Sequence, residues 1–218
     1  EIQFFTGYEK EKVKIFKDII KENDVVVDLG AHIGFYTMIA AKLVGRKGMV
    51  YGFEPGGVNF ALLKKNKEKN GYNNIVLEKK AVGDKNGKNK LYFWGESRNQ
   101  RLYGGDDMPF VEIESVRLDD YFKNYTGKID LIKINIAGSE GAAILGMKEL
   151  LTRYLNIKLI MQYSPRRIKE LGENPVDCLN ALKELGFRIW KIKETLEPVN
   201  KIEELIEDDT TKELFCGR

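Results

Sequence analysis

The 218-residue sequence predicts an α/β domain built on a mostly parallel sheet, and three observations predict it. Short apolar runs alternate along the chain with segments of helical periodicity, the pattern of repeated strand–helix units. Val25, Val26 and Val27 set three β-branched residues side by side, which suits a strand covered on both faces. Glycine, proline and acidic residues then follow several of the strands, at the carboxyl ends where the ligand crevice of such a sheet lies.

Taken in order, residues 1–23 form an N-terminal helical segment. Within it Tyr8 to Asn23 is amphipathic, with Val13, Phe16, Ile19 and Ile20 on its apolar side. The first strand, Val25 to Val27, runs directly into Asp28-Leu29-Gly30. Gly34 to Val44 is helical and ends at the Gly45-Arg46-Lys47-Gly48 turn. Met49 to Phe53 is a second strand closed by Glu54-Pro55, and Asn59 to Asn70 is a helix that Gly71 stops. Ile75 to Val82 reads as one strand, with Gly83-Asp84 and Gly87 bracketing a hairpin turn into Leu91 to Trp94.

Residues 95–110 lack periodicity and hold Gly104 and Gly105, so they are expected to form a mobile loop. Phe110 to Leu118 and Ile129 to Ile134 are strands, and Ser139 to Leu151 is a helix. Ile157 to Tyr163 is a strand, Pro175 to Leu185 a helix and Phe187 to Ile192 a strand. Glu213 to Cys216 are expected to add an edge strand. No repeat or long linker interrupts this order, so the whole chain, 1–218, is read as a single domain.

Composition narrows the function classes. The chain carries 36 basic and 33 acidic residues, a net +3 that is too balanced for a dedicated nucleic-acid or polybasic membrane-surface protein. His32 is the one histidine, which excludes a zinc site with two or three His ligands within one chain. Cys178 and Cys216 have no metal-type spacing and are read as reduced thiols of a cytoplasmic protein. The longest apolar stretch, Val25 to Val44, is broken by Asp28, Gly30, His32, Gly34 and Lys42, so it is neither a span nor a signal peptide. The sequence starts at Glu1 rather than Met, which leaves room for a longer native N-terminus.

The turn after the first strand reads Asp28-Leu29-Gly30-Ala31-His32-Ile33-Gly34. A dinucleotide fingerprint would be G-x-G-x-x-G. Here His32 replaces the middle glycine and Phe35 the last, so a Cβ would crowd a pyrophosphate, and Asp28 adds a negative charge. A cationic ligand with an amino-acid tail fits better, and S-adenosylmethionine has that character. Glu54 ends the second strand 24 residues beyond Gly30, where a carboxylate can accept from both ribose hydroxyls. The opposing reading makes Gly30 and Gly34 packing residues and Glu54 a cap of the next helix.

The runs VVVDLGAHIGFYTMIAA, YGFEPGGVNFALLKKN, AVGDKNG, LDDYF and IDLIKINIAGSEGAAILGM resemble, in order and spacing, the FkbM family of S-adenosylmethionine-dependent methyltransferases. The resemblance runs from about Gly7 to the C-terminus. It implies a class I, Rossmann-like methyltransferase fold arranged as a three-layer sandwich. It also implies methyl transfer, often to hydroxyls of sugars or natural products, with S-adenosylmethionine as cofactor. Carried over residue by residue, it makes Asp28, Gly30, Ala31, Gly34, Thr37 and Glu54, with the adjoining Pro55, cofactor contacts. Ala81 and Val82 match the segment that lines the adenine.

The chain departs from the family at the acceptor side. The family commonly reads K-I-D-V-E-G-A-E after the central strand, whereas this chain reads Lys133-Ile134-Asn135-Ile136-Ala137-Gly138-Ser139-Glu140. A later apolar-Glu-aromatic-x-Pro pattern becomes Met161-Gln162-Tyr163-Ser164-Pro165. Three acids are thus replaced, at 135, 137 and 162. A hydroxyl acceptor needs its proton removed, and Asn135 and Gln162 cannot take one. Asn135, which also contacts the cofactor, Glu140 and His32 are the candidate catalytic residues. Glu140 is also placed to interact with the dipole of its own helix, and His32 to make a backbone hydrogen bond. Asp106 and Asp107 lie in the expected loop, and Lys133 interrupts a buried strand and needs a partner. No metal ligand set is identified.

Three functions follow. The first is O-methylation of a small-molecule or glycan hydroxyl. The second is cofactor binding with reduced or lost catalysis. The third is RNA methylation, resting on Lys64, Lys65, Lys67, Lys69, Lys79, Lys80, Lys85, Lys88 and Lys90 with Tyr92, Phe93 and Trp94 beside them. Against the third, no N-P-P-[YF] motif follows the central strand, so a nucleic-acid partner is not expected. A membrane partner is not expected either, and the oligomeric state is left open.

Overall fold

The computed structural model describes residues 10–93, 100–102, 104 and 107–218. The chain begins with α1 (Lys10–Ile19), β1 (Val25–Leu29), α2 (Phe35–Val44), β2 (Met49–Phe53) and α3 (Gly57–Asn70). Then come β3 (Ile75–Glu78), β4 (Lys80–Val82), β5 (Gly87–Phe93), β6 (Gln100–Arg101), β7 (Phe110–Val116) and the short α4 (Leu118–Tyr121). The central crossover is β8 (Leu131–Ile134), α5 (Glu140–Leu145), α6 (Lys148–Arg153) and β9 (Lys158–Tyr163). The chain finishes with α7 (Pro165–Glu170), α8 (Pro175–Glu184), β10 (Arg188–Ile192), β11 (Leu196–Pro198), a 3-10 turn at Ile202–Leu205 and β12 (Lys212–Gly217).

Eight strands form the main sheet in the order β11-β10-β12-β9-β8-β1-β2-β3. Pairings among β1, β2, β3, β8 and β9 are parallel, while β12 runs antiparallel to both of its neighbours. The two faces of the sheet bury separate cores. Val26, Leu131 and Ile160 pack with Phe16 of α1 and Tyr36 of α2 on one side. Val27, Ile132 and Leu159 pack with Ile144, Leu150 and Leu179 of the helices on the other. Alternate strand residues therefore feed opposite cores, which is why the strands read as unbroken apolar runs.

Four expectations need correction. The single strand over 75–82 is two strands. β3 extends the main sheet, and after Lys79 the chain passes into a second, four-stranded sheet of order β4-β7-β5-β6. The hairpin through Gly83 and Gly87 is also not formed, because β7 inserts between β4 and β5 and pairs with both. The helix over 139–151 breaks at Gly146. A Cβ there would lie 1.9 Å from the Gly83 carbonyl oxygen, and the Asp119 carboxylate accepts from the Leu150 backbone N–H at 2.8 Å to start α6 afresh. Finally, β12 is an interior strand, held between β9 and β10.

Of the loop expected over 95–110, residues 95–99, 103, 105 and 106 lie outside the described residues, and Asp106 is among them. Gln100–Arg101 instead pairs with β5. Residues 1–9 and Trp94 also lie outside the described residues. Both cysteines are free and buried, and burial pushes the Cys216 thiol up to about 12. No described helix is long and apolar enough to cross a membrane.

Candidate functional site

The carboxyl edge of the sheet gathers most of the residues singled out above. Gly30 sits at φ +71° just past β1, and its amide and that of Ala31 both donate to the Phe53 carbonyl of β2, at 3.0 and 2.9 Å. His32, at φ +54°, is exposed on the tip of the turn. Its backbone N–H donates to Glu54 Oε2 at 2.9 Å. The other carboxylate oxygen of Glu54 accepts from Gly56 N at 2.9 Å and from Asn59 Nδ2 at 3.4 Å.

Glu54 is only 5 % exposed, and burial raises its pKa despite these donors. It therefore clamps the glycine turn to the start of α3. A carboxylate has about four lone-pair directions, so these three donors leave it able to accept from a further hydroxyl.

Asp28 lies inside the wall. It has no exposed surface, and its carboxylate stands 2.9 Å from the Lys133 ammonium and accepts from the Thr37 hydroxyl at 2.7 Å. Lys133 also donates to the Gly30 carbonyl at 3.1 Å and lies 5.2 Å from the centroid of the Tyr36 ring. The lysine that interrupts β8 is thus one half of a buried ion pair with its cross-strand partner. The pair fixes the backbone of the glycine turn from beneath. Thr37, also buried, holds Asp28 in place.

The glycines answer first to the protein. A Cβ on Gly30 would lie 2.0 Å from the Asn135 carbonyl oxygen, and one on Gly34 would lie 2.6 Å from Leu63 Cδ1. Ala81 and Val82 are buried and point to opposite sides, Ala81 against Leu91 and Ile113 of the second sheet and Val82 into the main core. Pro55 is half-buried behind Glu54.

On the acceptor side, Asn135 is half-buried, with its amide donating to the Leu29 carbonyl at 3.0 Å. Ala137 takes a left-handed φ of +55°. Glu140 is removed from the crevice by its burial, at 1 % exposure. Its Oε1 accepts from the Gly138 amide at 3.0 Å, and its Oε2 has no hydrogen-bond partner among the described residues. Burial is the main cause that pushes this carboxyl up to about 7, with Glu173 adding to it and Arg167 opposing it.

A raised carboxyl pKa favours folding below the ordinary value of 4.5 and loses that contribution as pH rises through about 7. Glu140→Gln is therefore expected to flatten the pH dependence by up to roughly 3 kcal/mol between pH 5 and 8. Urea unfolding at both pH values measures this. A variant whose curve runs parallel to the parent's would show that Glu140 does not titrate there.

Sequence reasoning missed Glu213. It faces Gln162 across the β9–β12 pair and accepts from Gln162 Nε2 at 2.8 Å and from Lys12 Nζ at 2.9 Å. Lys12 is 3 % exposed and lies 5.4 Å from the Tyr36 ring centroid. Reading Glu213 as an edge residue hid it, and nothing local to the sequence marks it. No group of three or more His, Cys, Asp and Glu side chains among the described residues is arranged to hold a metal ion.

Residues 28–189 match the model of the methyltransferase FkbM domain. No curated protein matches the sequence. Among solved structures, the fold is similar to methyltransferase FkbM from Methylobacillus flagellatus, with a TM-score of 0.59 at 17 % identity. That match covers 90 % of this chain and 44 % of the other, so the chain spans less than half the length of that relative. A Streptococcus mutans protein solved in complex with SAH superposes with a TM-score of 0.55 at 13 % identity, over 94 % of each chain. An S-adenosylmethionine-dependent O-methyltransferase from Thermotoga maritima gives 0.51 at 15 % identity, over 97 % of this chain and 65 % of that one.

Proposed function

The chain belongs to the FkbM methyltransferase family, and from that premise we propose that it binds S-adenosylmethionine at the carboxyl edge of β1 and β2 and methylates a hydroxyl of a small polar molecule or glycan. The observation that carries the reading is Glu54. It is a buried carboxylate at the end of β2, aimed at the glycine turn by two backbone N–H donors and still able to accept from a ribose hydroxyl.

Bound S-adenosylmethionine would supply an electrophilic methyl group, whose bond to sulfur breaks as the acceptor oxygen bonds to carbon and the hydroxyl proton passes to His32 or to water. Much of the rate of such an in-line displacement comes from alignment. The chain supplies alignment through the rigid turn at Gly30–Gly34, which the Asp28–Lys133 pair supports from below. Asn135 stands beside that turn as a neutral donor and acceptor of hydrogen bonds. Of the three candidate catalytic residues, His32 and Asn135 stand at the edge, whereas Glu140 holds its own turn.

Calorimetric titration with S-adenosylhomocysteine tests the reading. Micromolar binding is expected, weakened about 10- to 100-fold in Glu54→Gln, equivalent to roughly 1.4–2.8 kcal/mol. No heat of binding to the parent protein would remove the cofactor assignment.

A protein that binds the cofactor with reduced catalysis is the second reading. It is favoured by the neutral side chains at Asn135, Ala137 and Gln162 together with the burial of Glu140. Transfer of labelled methyl separates the two. The RNA reading finds less support. Lys80 and Lys88 are paired with Glu114 and Glu112 at 3.7 and 3.2 Å, so the second sheet alternates in sign and presents no continuous basic track among the described residues.

A further inference from the structure

The helix α3 is 14 residues long, yet its buried side chains are only Asn59 and Leu63. A surface helix ordinarily turns its apolar side chains to the core and its charges to water. Here Val58 is 65 % exposed and Leu62 45 %. At about 3.6 residues per turn, Val58, Leu62, Lys65 and Lys69 fall on one outward stripe about 16 Å long. Ile33, 38 % exposed in the glycine turn, lies alongside, because its carbonyl accepts from Asn66 Nδ2 at 2.8 Å. Three of the seven large apolar side chains exposed among the described residues are thus gathered on one face.

The same helix carries Lys64, Lys65, Lys67 and Lys69 against a single acid, Glu68. None of the four lysines takes part in an ion pair among the described residues, whereas Lys80 and Lys88 of the second sheet are paired with Glu114 and Glu112. The near-neutral total charge, from which no membrane partner is expected, averages over this local excess. Beside the stripe a cavity of about 280 Å³ opens between α2 and α3, with Ile33, Met38, Asn66 and Lys69 in its wall.

We propose that the outer face of α3, with Ile33 beside it, docks on a bilayer containing anionic lipid, the lysines meeting the headgroups while Val58, Leu62 and Ile33 enter the acyl boundary.

The composition of the face selects this partner. A lysine lays its aliphatic stem along apolar surface while its ammonium reaches a phosphate. Near an anionic membrane each lysine adds about five-fold to partitioning. Protein interfaces are depleted in lysine and draw their affinity from Trp, Tyr and Arg, none of which stands on this stripe. A second copy of the chain would set one row of lysines against another. Single-stranded nucleic acid is held by stacking on aromatic rings, whereas the exposed apolar side chains here are aliphatic. A bilayer demands no matching shape, only an apolar ridge with cations around it. Val58 lies in the first turn of α3, just past Glu54, and Ile33 in the glycine turn, so the face borders the carboxyl edge of the sheet. Docking therefore holds the mouth of the crevice at the level of the headgroups.

Co-sedimentation of the full chain with vesicles tests the proposal. At low salt, binding to phosphatidylcholine vesicles containing about 30 % phosphatidylglycerol is expected to exceed binding to phosphatidylcholine alone by about 10-fold or more. Lys65→Glu with Lys69→Glu is expected to weaken it about 20-fold, and Val58→Ser with Leu62→Ser about 10-fold. Lys148→Glu with Lys183→Glu makes the same change of charge on helices of the opposite layer and is expected to stay within about 2-fold of the parent. Every substituted side chain is exposed, so the fold is retained. Absence of binding to the anionic vesicles, or equal loss in the two lysine pairs, overturns the docking face. Loss confined to the lysine variants overturns it too, since charge alone would then account for adsorption. A labelled oligouridine held more tightly than the vesicles, and released by Lys65→Glu with Lys69→Glu, assigns the lysines to nucleic acid and likewise overturns it. None of the substituted residues is among the proposed cofactor contacts, so either reading can fail while the other stands.

Discussion

Gly30→Ala is expected to abolish binding of S-adenosylhomocysteine and to destabilise the fold by about 2–5 kcal/mol. Two effects add at this position. Alanine in the left-handed region costs about 1–2 kcal/mol relative to glycine. Its Cβ would then stand 2.0 Å from the Asn135 carbonyl oxygen, a backbone atom that cannot rotate away. Relief requires β1 and β8 to part at their carboxyl ends, where the amide of Asn135 bonds to Leu29.

Gly71 provides the control. It has nearly the same φ, +69°, with nothing within 4 Å of the point where an alanine methyl would stand, so Gly71→Ala carries the conformational cost alone. Chemical denaturation and calorimetry on both variants separate the two causes. If Gly30→Ala loses no more stability than Gly71→Ala and still binds S-adenosylhomocysteine, the close approach of the two strands does not constrain the turn.

Lys133→Met is expected to lower stability by about 3–5 kcal/mol, the usual consequence of leaving a buried charge without its partner. Asp28 has no exposed surface, and after the substitution only the Thr37 hydroxyl would remain to it. The Gly30 carbonyl would lose its donor as well. Asp28→Asn combined with Lys133→Met should recover a large part of the loss, because the neutral pair no longer buries an isolated charge. Urea midpoints of the parent, the two single variants and the double variant measure the coupling. A Lys133→Met variant within about 1 kcal/mol of the parent would mean that water reaches the pair and that it does not brace the turn.

Beneath the glycine turn the charges of Asp28 and Lys133 face each other, with the Thr37 hydroxyl on the carboxylate. Asp28 and Thr37 sit in the stretch of sequence that resembles the family's cofactor contacts, and in the fold they bond to each other, and Asp28 to Lys133, beneath that turn. Glu54 ties the glycine turn to the start of α3 by accepting from the backbone on both sides.

Local pattern was enough wherever the cause was local. The strands at 25–29 and 49–53, the helix stopped by Gly71 and the helix from Pro175 are all legible, because hydrophobic period, β-branching, proline and glycine act over a few residues. The need of Lys133 for a partner was legible too, since an ammonium in an apolar strand has to be compensated. Its partner was legible only once β1 and β8 were known to be neighbours.

What the sequence by itself determined is the α/β class, the order of its central elements, the glycine turn and the carboxylate that closes it. Only the tertiary structure decided that β12 lies inside the sheet, that the chain leaves the main sheet after Lys79, and that Gly146 divides a helix by its approach to Gly83. It likewise decided that Lys12 and Glu213, 201 positions apart, meet beneath α1. The physical reason is range. Propensity and periodicity are properties of neighbours along the chain, whereas strand order, close backbone approach and the pairing of buried charges depend on which distant segments share a layer.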